Sequence, residues 1–181
     1  MTTIIGVESN KKAVIVADSR VTDDSGRVYS HPIMQKISRR GALLIAGAGE
    51  VAPCDIAQNI WVPPAFTAKD KKDAYRYMIV KAMPSLRKCL VENGYNFDEP
   101  HDKDKYGLRF QFLIAAGGEL FDVDQDMAVM KSAEGFYAIG SGGAYALGAL
   151  YAGVDAISAM EVASRISAYT AAPYQVEEQF K

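Results

Sequence analysis

The 181-residue sequence predicts an α+β layered domain, because strand-like and helix-like segments come in separate blocks. Short runs rich in Val and Ile come first. A block with apolar residues at helical spacing follows and ends at the helix-stop pair Asn93-Gly94. Further strand-like runs and two more helical stretches complete the chain. We therefore expect strands, helices, strands and helices to pack around one core, as a single domain over residues 1–181.

The strand segments are short and separated by turn signals. Segments 3–7 and 13–17 flank the polar run Ser9-Asn10-Lys11-Lys12, which predicts an antiparallel pair. The other predicted strands cover residues 27–30, 33–38, 42–46, 108–115, 120–123, 128–131 and 137–139. Five short strands in the first block indicate a sheet that holds the amino terminus in the core.

The helical segments are identified by their apolar spacing. They cover residues 50–60, 70–93, 143–151 and 155–169, and Pro63-Pro64 separates the first two. Residues 95–105 are polar and predict a surface loop. Cys54 and Cys89 lie in helical segments without a CxxC pair, so we expect reduced core residues rather than a redox centre.

Composition excludes several function classes. A net charge of -2 and a pI of about 5.7 give no basic surface for nucleic acid. The opening residues 1–6 lack a basic segment leading into a long apolar run, and no later run is long enough to span a membrane. We therefore expect a soluble, cytoplasmic protein. The two histidines, His31 and His101, lie outside any zinc or catalytic motif.

An acidic run at residues 122–126 has some likeness to a calcium loop. Met127 and Ala133 stand where such a loop needs glycine at its sixth position and glutamate at its twelfth. The run therefore predicts a hairpin turn.

Thr2 is a candidate nucleophile. Removal of Met1 would leave a hydroxyl and a primary amine on one residue. A free α-amine has a pKa of about 7.7 to 8.0, so it can accept the hydroxyl proton near neutral pH. Many proteins begin with Met-Thr, however, and an ordinary chain start stays open at this point.

Two charged residues stand in apolar strand contexts. Asp18 closes the second predicted strand, and Lys36 lies inside the predicted strand 33–38. Facing each other in a half-buried sheet they would pair, and the ammonium would lower the pKa of a neighbouring amine or hydroxyl. Two solvated charges on a strand face are the alternative.

Two glycine-rich segments lead from a strand into a helix, at residues 45–49 and 138–143. Free backbone N–H groups at such places can hold an oxyanion. Neither segment is a Walker loop or a dinucleotide fingerprint. Tight turns without a function are the alternative.

Taken together, the motifs TTIIG, AVIVADSR, QKI, LLIAGAG and AIGSGGAYALGAL resemble the catalytic β-subunits of proteasomes and, more closely, bacterial peptidases of the HslV (ClpQ) type. The ending ISAYTAAPYQVEEQF is similar to the terminus of that bacterial family. The resemblance covers residues 2–58 and 107–180, whereas residues 62–105 match poorly. It implies an αββα sandwich of two antiparallel sheets between helix layers, the N-terminal nucleophile hydrolase fold.

The resemblance also implies site residues. Thr2 would be the nucleophile, Asp18 and Lys36 its tuning charge pair, Gly47 an oxyanion N–H donor and Ser141 a partner near the α-amine. The positions that match the substrate pocket are Val21, Met34, Ile45 and Gly49. All of these are apolar or lack a side chain, so we expect cleavage after leucine, tyrosine or phenylalanine.

The chemistry needs no metal, although the resemblance implies a structural monovalent cation such as Na⁺. Backbone carbonyls of Ser164, Ser167 and Thr170 would bind it. The family usually has glycine and cysteine where this chain has Ser164 and Ser167, and asparagine where it has Ala171.

The implied assembly is a homo-oligomer of stacked hexameric rings that encloses the sites and receives polypeptides from a separate, HslU-like ATPase. Two alternatives stay open. The chain could be an amidohydrolase for small amides, which needs no chamber. It could also be a non-catalytic scaffold subunit, in which a retained Met1 would leave Thr2 without a free amine.

Overall fold

The structure, a computed structural model, describes residues 2–22, 25–29, 35–99 and 108–181. Its strands are β1 (Thr3–Ser9), β2 (Lys12–Ala17), β3 (Val21–Thr22), β4 (Val28–Tyr29), β5 (Ile37–Arg40), β6 (Leu43–Gly49), β7 (Phe110–Ala116), β8 (Glu119–Asp124), β9 (Val129–Met130), β10 (Phe136–Gly140) and β11 (Gln175–Phe180). Its helices are α1 (Val51–Asp55), α2 (Ala74–Tyr77), α3 (Met83–Glu92), α4 (Gly143–Tyr151) and α5 (Ala156–Ile166). Single π-helical segments extend α1 over Ile56–Ile60 and join α2 to α3 over Met78–Ala82, and a 3-10 turn, Asp70–Lys72, precedes α2.

Two antiparallel sheets carry the fold. The first has the order β10-β1-β2-β11, so β1 lies between two neighbours. The second has the order β5-β6-β7-β8-β9, and β3 and β4 form a separate ribbon. In the first sheet Thr3 pairs with Gly140, which brings the start of β1 beside the end of β10.

The two sheets pack face to face, and helices cover both outer faces. Ile4 of β1 and Ile15 of β2 pack against Leu113 and Leu120 of the second sheet. The neighbouring residue, Ile5, points to the other side and packs on α4 and α5. Both faces of β1 are buried, which explains its unbroken apolar sequence. The α1–α3 helices cover the far side of the second sheet. The predicted αββα sandwich is confirmed.

The structure corrects several predicted boundaries. Of the described residues in the strand expected at 27–30, Val28 and Tyr29 form β4 and Arg27 does not; of those in the strand expected at 33–38, Gln35 and Lys36 lie before β5, which begins at Ile37. Residues 30–34 and 100–107 lie outside the described part of the chain.

The strands of the first block divide among three sheets rather than forming one. The last helix ends at Ile166 because Ser167 has extended backbone angles. The acidic run 122–126 forms the β8–β9 hairpin, as predicted.

Asp122 of β8 is a carboxylate that the fold does not satisfy. Its Oδ1 atom is buried and has no hydrogen-bond partner among the described residues. Burial, assisted by the charge of Asp124, raises the pKa of Asp122 from 3.8 to about 6. Between these two values the folded chain holds a proton that the unfolded chain has released. Stability therefore falls as the pH rises through this window.

We expect Asp122→Asn to raise the free energy of unfolding by about 1 to 3 kcal/mol at about pH 7.5, and to change it little at about pH 4. Denaturant unfolding at the two pH values measures this. Glu134→Gln, which changes an exposed carboxylate, is the control. An equal effect of Asp122→Asn at both pH values would show that the charge of Asp122 is not the cause.

Candidate active site

Thr2 comes directly before β1, and its backbone is held on both sides. The Thr2 carbonyl accepts a hydrogen bond from the N–H of Ser141 at 2.9 Å and one from the Ser141 hydroxyl at 3.3 Å. The N–H of Thr3 donates to Oδ1 of Asp18 at 2.8 Å. The peptide group between Thr2 and Thr3 therefore lies fixed between β2 and the segment after β10.

Asp18 and Lys36 form a buried ion pair. Lys36 Nζ lies 2.7 Å from Oδ1 of Asp18, and the side chains are 8% and 0% exposed. Lys36 also donates to the Arg20 carbonyl at 2.5 Å. Oδ2 of Asp18 accepts the N–H groups of Arg20 and Ala171 at 2.9 and 3.3 Å. Such burial excludes the alternative of two solvated charges.

Burial also changes the acidity of Lys36. Loss of hydration lowers the pKa of Lys36 below its usual 10.5, and the charge of Asp18 and its hydrogen bond oppose that shift. A cation held close to Thr2 favours the deprotonated forms of a neighbouring amine and hydroxyl.

The glycines at the end of β10 and just after it let the backbone approach Thr2 and Thr3. Gly140 has a φ of +84°, and a Cβ atom there would lie 1.9 Å from the Thr2 carbonyl oxygen. A Cβ atom on Gly142 would lie 2.4 Å from Oγ1 of Thr3 and 2.7 Å from Oγ1 of Thr170. The N–H of Gly142 donates to Thr3 Oγ1 at 2.9 Å, and the two threonine hydroxyls are 2.6 Å apart. The turn of residues 140–142 is therefore glycine-rich for steric reasons.

A pocket opens beside Thr2, between the ends of β5 and β6 and the α1 segment. Its lining residues are Thr2, Val21, Gln35, Lys36, Ser38, Gly47, Gly49, Val51, Cys54, Asp55, Gln58 and Asn59. The structure thus brings Thr2, Lys36 and Gly47 to one cavity. Asp18 and Ser141 do not line it but hold its residues in place: Asp18 contacts Thr3 and Lys36, and Ser141 contacts Thr2.

The pocket lining differs from the sequence expectation. Val21 and Gly49 line it, but Ile45 is fully buried in the core between the second sheet and its helices, outside the lining. Met34 lies outside the described residues. Much of the pocket wall is polar, whereas the sequence predicts an apolar lining. The polar side chains come from the α1 segment and from residues in or beside β5, which the sequence analysis did not place in the pocket. Only the packing angle of α1 decides which of its side chains reach the cavity.

Comparisons with known proteins show what the chain resembles in sequence and in fold. No family model matches the sequence. An ATP-dependent protease subunit HslV from Caldicellulosiruptor saccharolyticus is 28% identical over 180 residues, which is 93% of each chain. In sequence and in fold, the chain is HslV-like. The resemblance inferred from the motifs is confirmed.

Solved structures show the same fold for the HslV-like chain. Thiobacillus denitrificans BPH superimposes with a TM-score of 0.72 at 24% identity, covering 99% of this chain and 98% of that one. The structure of the same protein in complex with epoxomicin superimposes with a TM-score of 0.71. Eukaryotic HslV from Trypanosoma brucei gives 0.66 at 23% identity, covering 99% of this chain and 100% of that one.

The residues predicted to bind a cation in the HslV-like chain lie together. Ser164, Ser167 and Thr170 do line one concave surface, together with Arg20. The Ser167 carbonyl already accepts the N–H of Thr170 at 3.2 Å, and the Arg20 guanidinium donates to the Ala168 carbonyl. A permanent positive charge therefore already lies on this loop, and like charges repel. The Na⁺ site at Ser164, Ser167 and Thr170 stays a prediction.

Other chemistries receive no support from the described ranges. Burial, with the charges of Asp55 and Glu50 adding to it, raises the pKa of the Cys54 thiol to about 12, so this pocket cysteine is not a thiolate at neutral pH. Within the same ranges, no group of three or more His, Cys, Asp and Glu side chains could hold a metal ion. No helix there is long and apolar enough to cross a bilayer.

Proposed function

We propose that this HslV-like chain is a threonine endopeptidase whose nucleophile is the Thr2 hydroxyl, freed as the amino-terminal residue when Met1 is removed. One observation carries the proposal. The Asp18 carboxylate joins the N–H that follows Thr2 to the Lys36 ammonium, in a buried cluster beside the pocket that Thr2 lines.

The chain's own groups are sufficient for acyl transfer. The Thr2 amine accepts the hydroxyl proton, directly or through a water, while Oγ1 attacks the substrate carbonyl. The positive charge of Lys36 stabilises the developing alkoxide, and the N–H of Gly47 stabilises the oxyanion of the tetrahedral intermediate. The protonated amine then donates its proton to the leaving amine. Water hydrolyses the resulting ester and restores Thr2. No step uses a metal ion.

The assembly belongs to the same proposal. The curated relative is named a subunit of an ATP-dependent protease, which supports a homo-oligomer that receives polypeptides from a separate ATPase. We propose stacked hexameric rings and an HslU-like partner. The cytoplasmic location stays a prediction.

The mass of the purified protein, before and after incubation with epoxomicin, tests the proposal. We expect a mass lower than the full sequence by one methionine residue, and an epoxomicin adduct that maps to Thr2. Hydrolysis of an unfolded polypeptide should be lost in the adduct. A retained Met1 with no adduct would favour the scaffold alternative. Hydrolysis of short amides without any polypeptide cleavage would favour the amidohydrolase alternative.

A further inference from the structure

The pocket beside Thr2 carries an uncompensated negative charge. Asp55, the last residue of α1, lines this pocket and is exposed. Its carboxylate makes no hydrogen bond or ion pair with any residue that the structure describes. The cation of the same pocket, Lys36, lies 2.7 Å from Asp18, which balances its charge. Among the side chains that line the pocket, the charge without a partner is therefore that of Asp55.

The neighbouring polar groups also offer acceptors. Gln58 uses its amide N–H on the Lys36 carbonyl at 2.6 Å, and Asn59 uses its own on the Asp55 carbonyl at 3.0 Å. Each amide keeps its side-chain oxygen and one N–H, and the carboxylate of Asp55 adds two acceptor oxygens. A ligand with several N–H donors and a positive charge fits this set.

The apolar part of the wall suits the same ligand. Val21, Val51 and Cys54 line the pocket with the polar groups. The aliphatic stem of lysine or arginine can pack on such side chains while its charged end reaches a carboxylate. A leucine or phenylalanine would cover the polar groups without replacing their hydration.

We propose that this pocket binds a basic side chain, so that the enzyme cleaves polypeptides after arginine or lysine, with Asp55 as the residue that determines this specificity. The inference rests on the proposed function, since it needs Thr2 to be the nucleophile. It replaces the preference for leucine, tyrosine or phenylalanine that the sequence predicts.

Four fluorogenic peptides that differ only in the residue before the scissile bond test the inference. They carry arginine, lysine, leucine or glutamate there and are assayed on protein that lacks Met1. We expect kcat/KM to be at least about tenfold higher after arginine than after leucine. Asp55→Asn keeps the shape of the side chain. It should lower arginine cleavage about tenfold and leave leucine cleavage within about twofold.

Two further variants sharpen the test. Glu134→Gln removes a carboxylate that does not line the pocket and should change none of the four rates. Asp55→Lys should suppress cleavage after arginine and raise cleavage after glutamate.

Faster cleavage after leucine in the unmodified protein, or arginine cleavage that Asp55→Asn leaves unchanged, would overturn the inference. The proposed function would survive both outcomes, because peptides are still cleaved. If no peptide is cleaved and epoxomicin forms no adduct on Thr2, the proposed function fails and the inference fails with it.

Discussion

Thr2→Ala should give a folded, assembled protein that has lost peptidase activity by a factor of at least about 10³. The reason is local. The substitution removes the attacking oxygen, whereas the contacts that hold this part of the chain use the Thr2 carbonyl and the N–H of Thr3. An alanine keeps both groups, so the contacts with Ser141 and Asp18 should persist. Turnover of a fluorogenic peptide, thermal unfolding and size-exclusion chromatography measure the three expectations.

Thr2→Ser is the matched control for this variant. Serine keeps the hydroxyl and the amine and loses only a methyl group, so it should retain measurable activity. Both variants have a small residue after Met1, so both should lose the methionine, and intact mass must confirm that. A folded Thr2→Ala protein with undiminished turnover would mean that another group is the nucleophile.

The layers of the fold were accessible from the sequence because each strand of the core has a strong apolar pattern. In β1 the residues Ile4 and Ile5 point to opposite faces and are both fully buried, and this appears in the sequence as an uninterrupted apolar run. The glycine-rich segment 138–143 is predicted to lead from a strand into a helix, and it does connect β10 to α4, with Gly140 and Gly142 against Thr2 and Thr3.

Other features depend on distances between elements, which a single sequence does not contain. Thr3 and Thr170 share a hydrogen bond across 167 positions, and no local pattern singles out Thr3. Asp55 is the last residue of α1 and has ordinary helical spacing, and only the placement of that helix beside β6 makes it a pocket residue. Lys36 is predicted inside a strand, but in the structure it comes directly before β5. The predicted ion pair of Lys36 with Asp18 is nevertheless correct, because a buried ammonium group requires a carboxylate partner wherever the strand begins.

Lys36→Met should reduce activity by at least about a hundredfold and lower the free energy of unfolding by about 3 to 5 kcal/mol. Methionine fills a similar volume without the charge. The carboxyl group of Asp18, which is 1% exposed, would then lie in the interior with no cation beside it. The cost comes from that unpaired group. Peptide turnover and denaturant unfolding measure the two effects separately.

The double variant Asp18→Asn with Lys36→Met separates the structural role of the pair from its catalytic role. Removing both charges should restore part of the lost stability, since no buried charge is left without a partner. Restoration should be incomplete, because an asparagine amide cannot accept all the N–H groups of Thr3, Arg20 and Ala171 that the carboxylate accepts. Activity should stay low, because the cation beside Thr2 is still missing. A double variant that regained activity along with stability would show that the pair only holds the fold, and that the Thr2 hydroxyl needs no neighbouring positive charge.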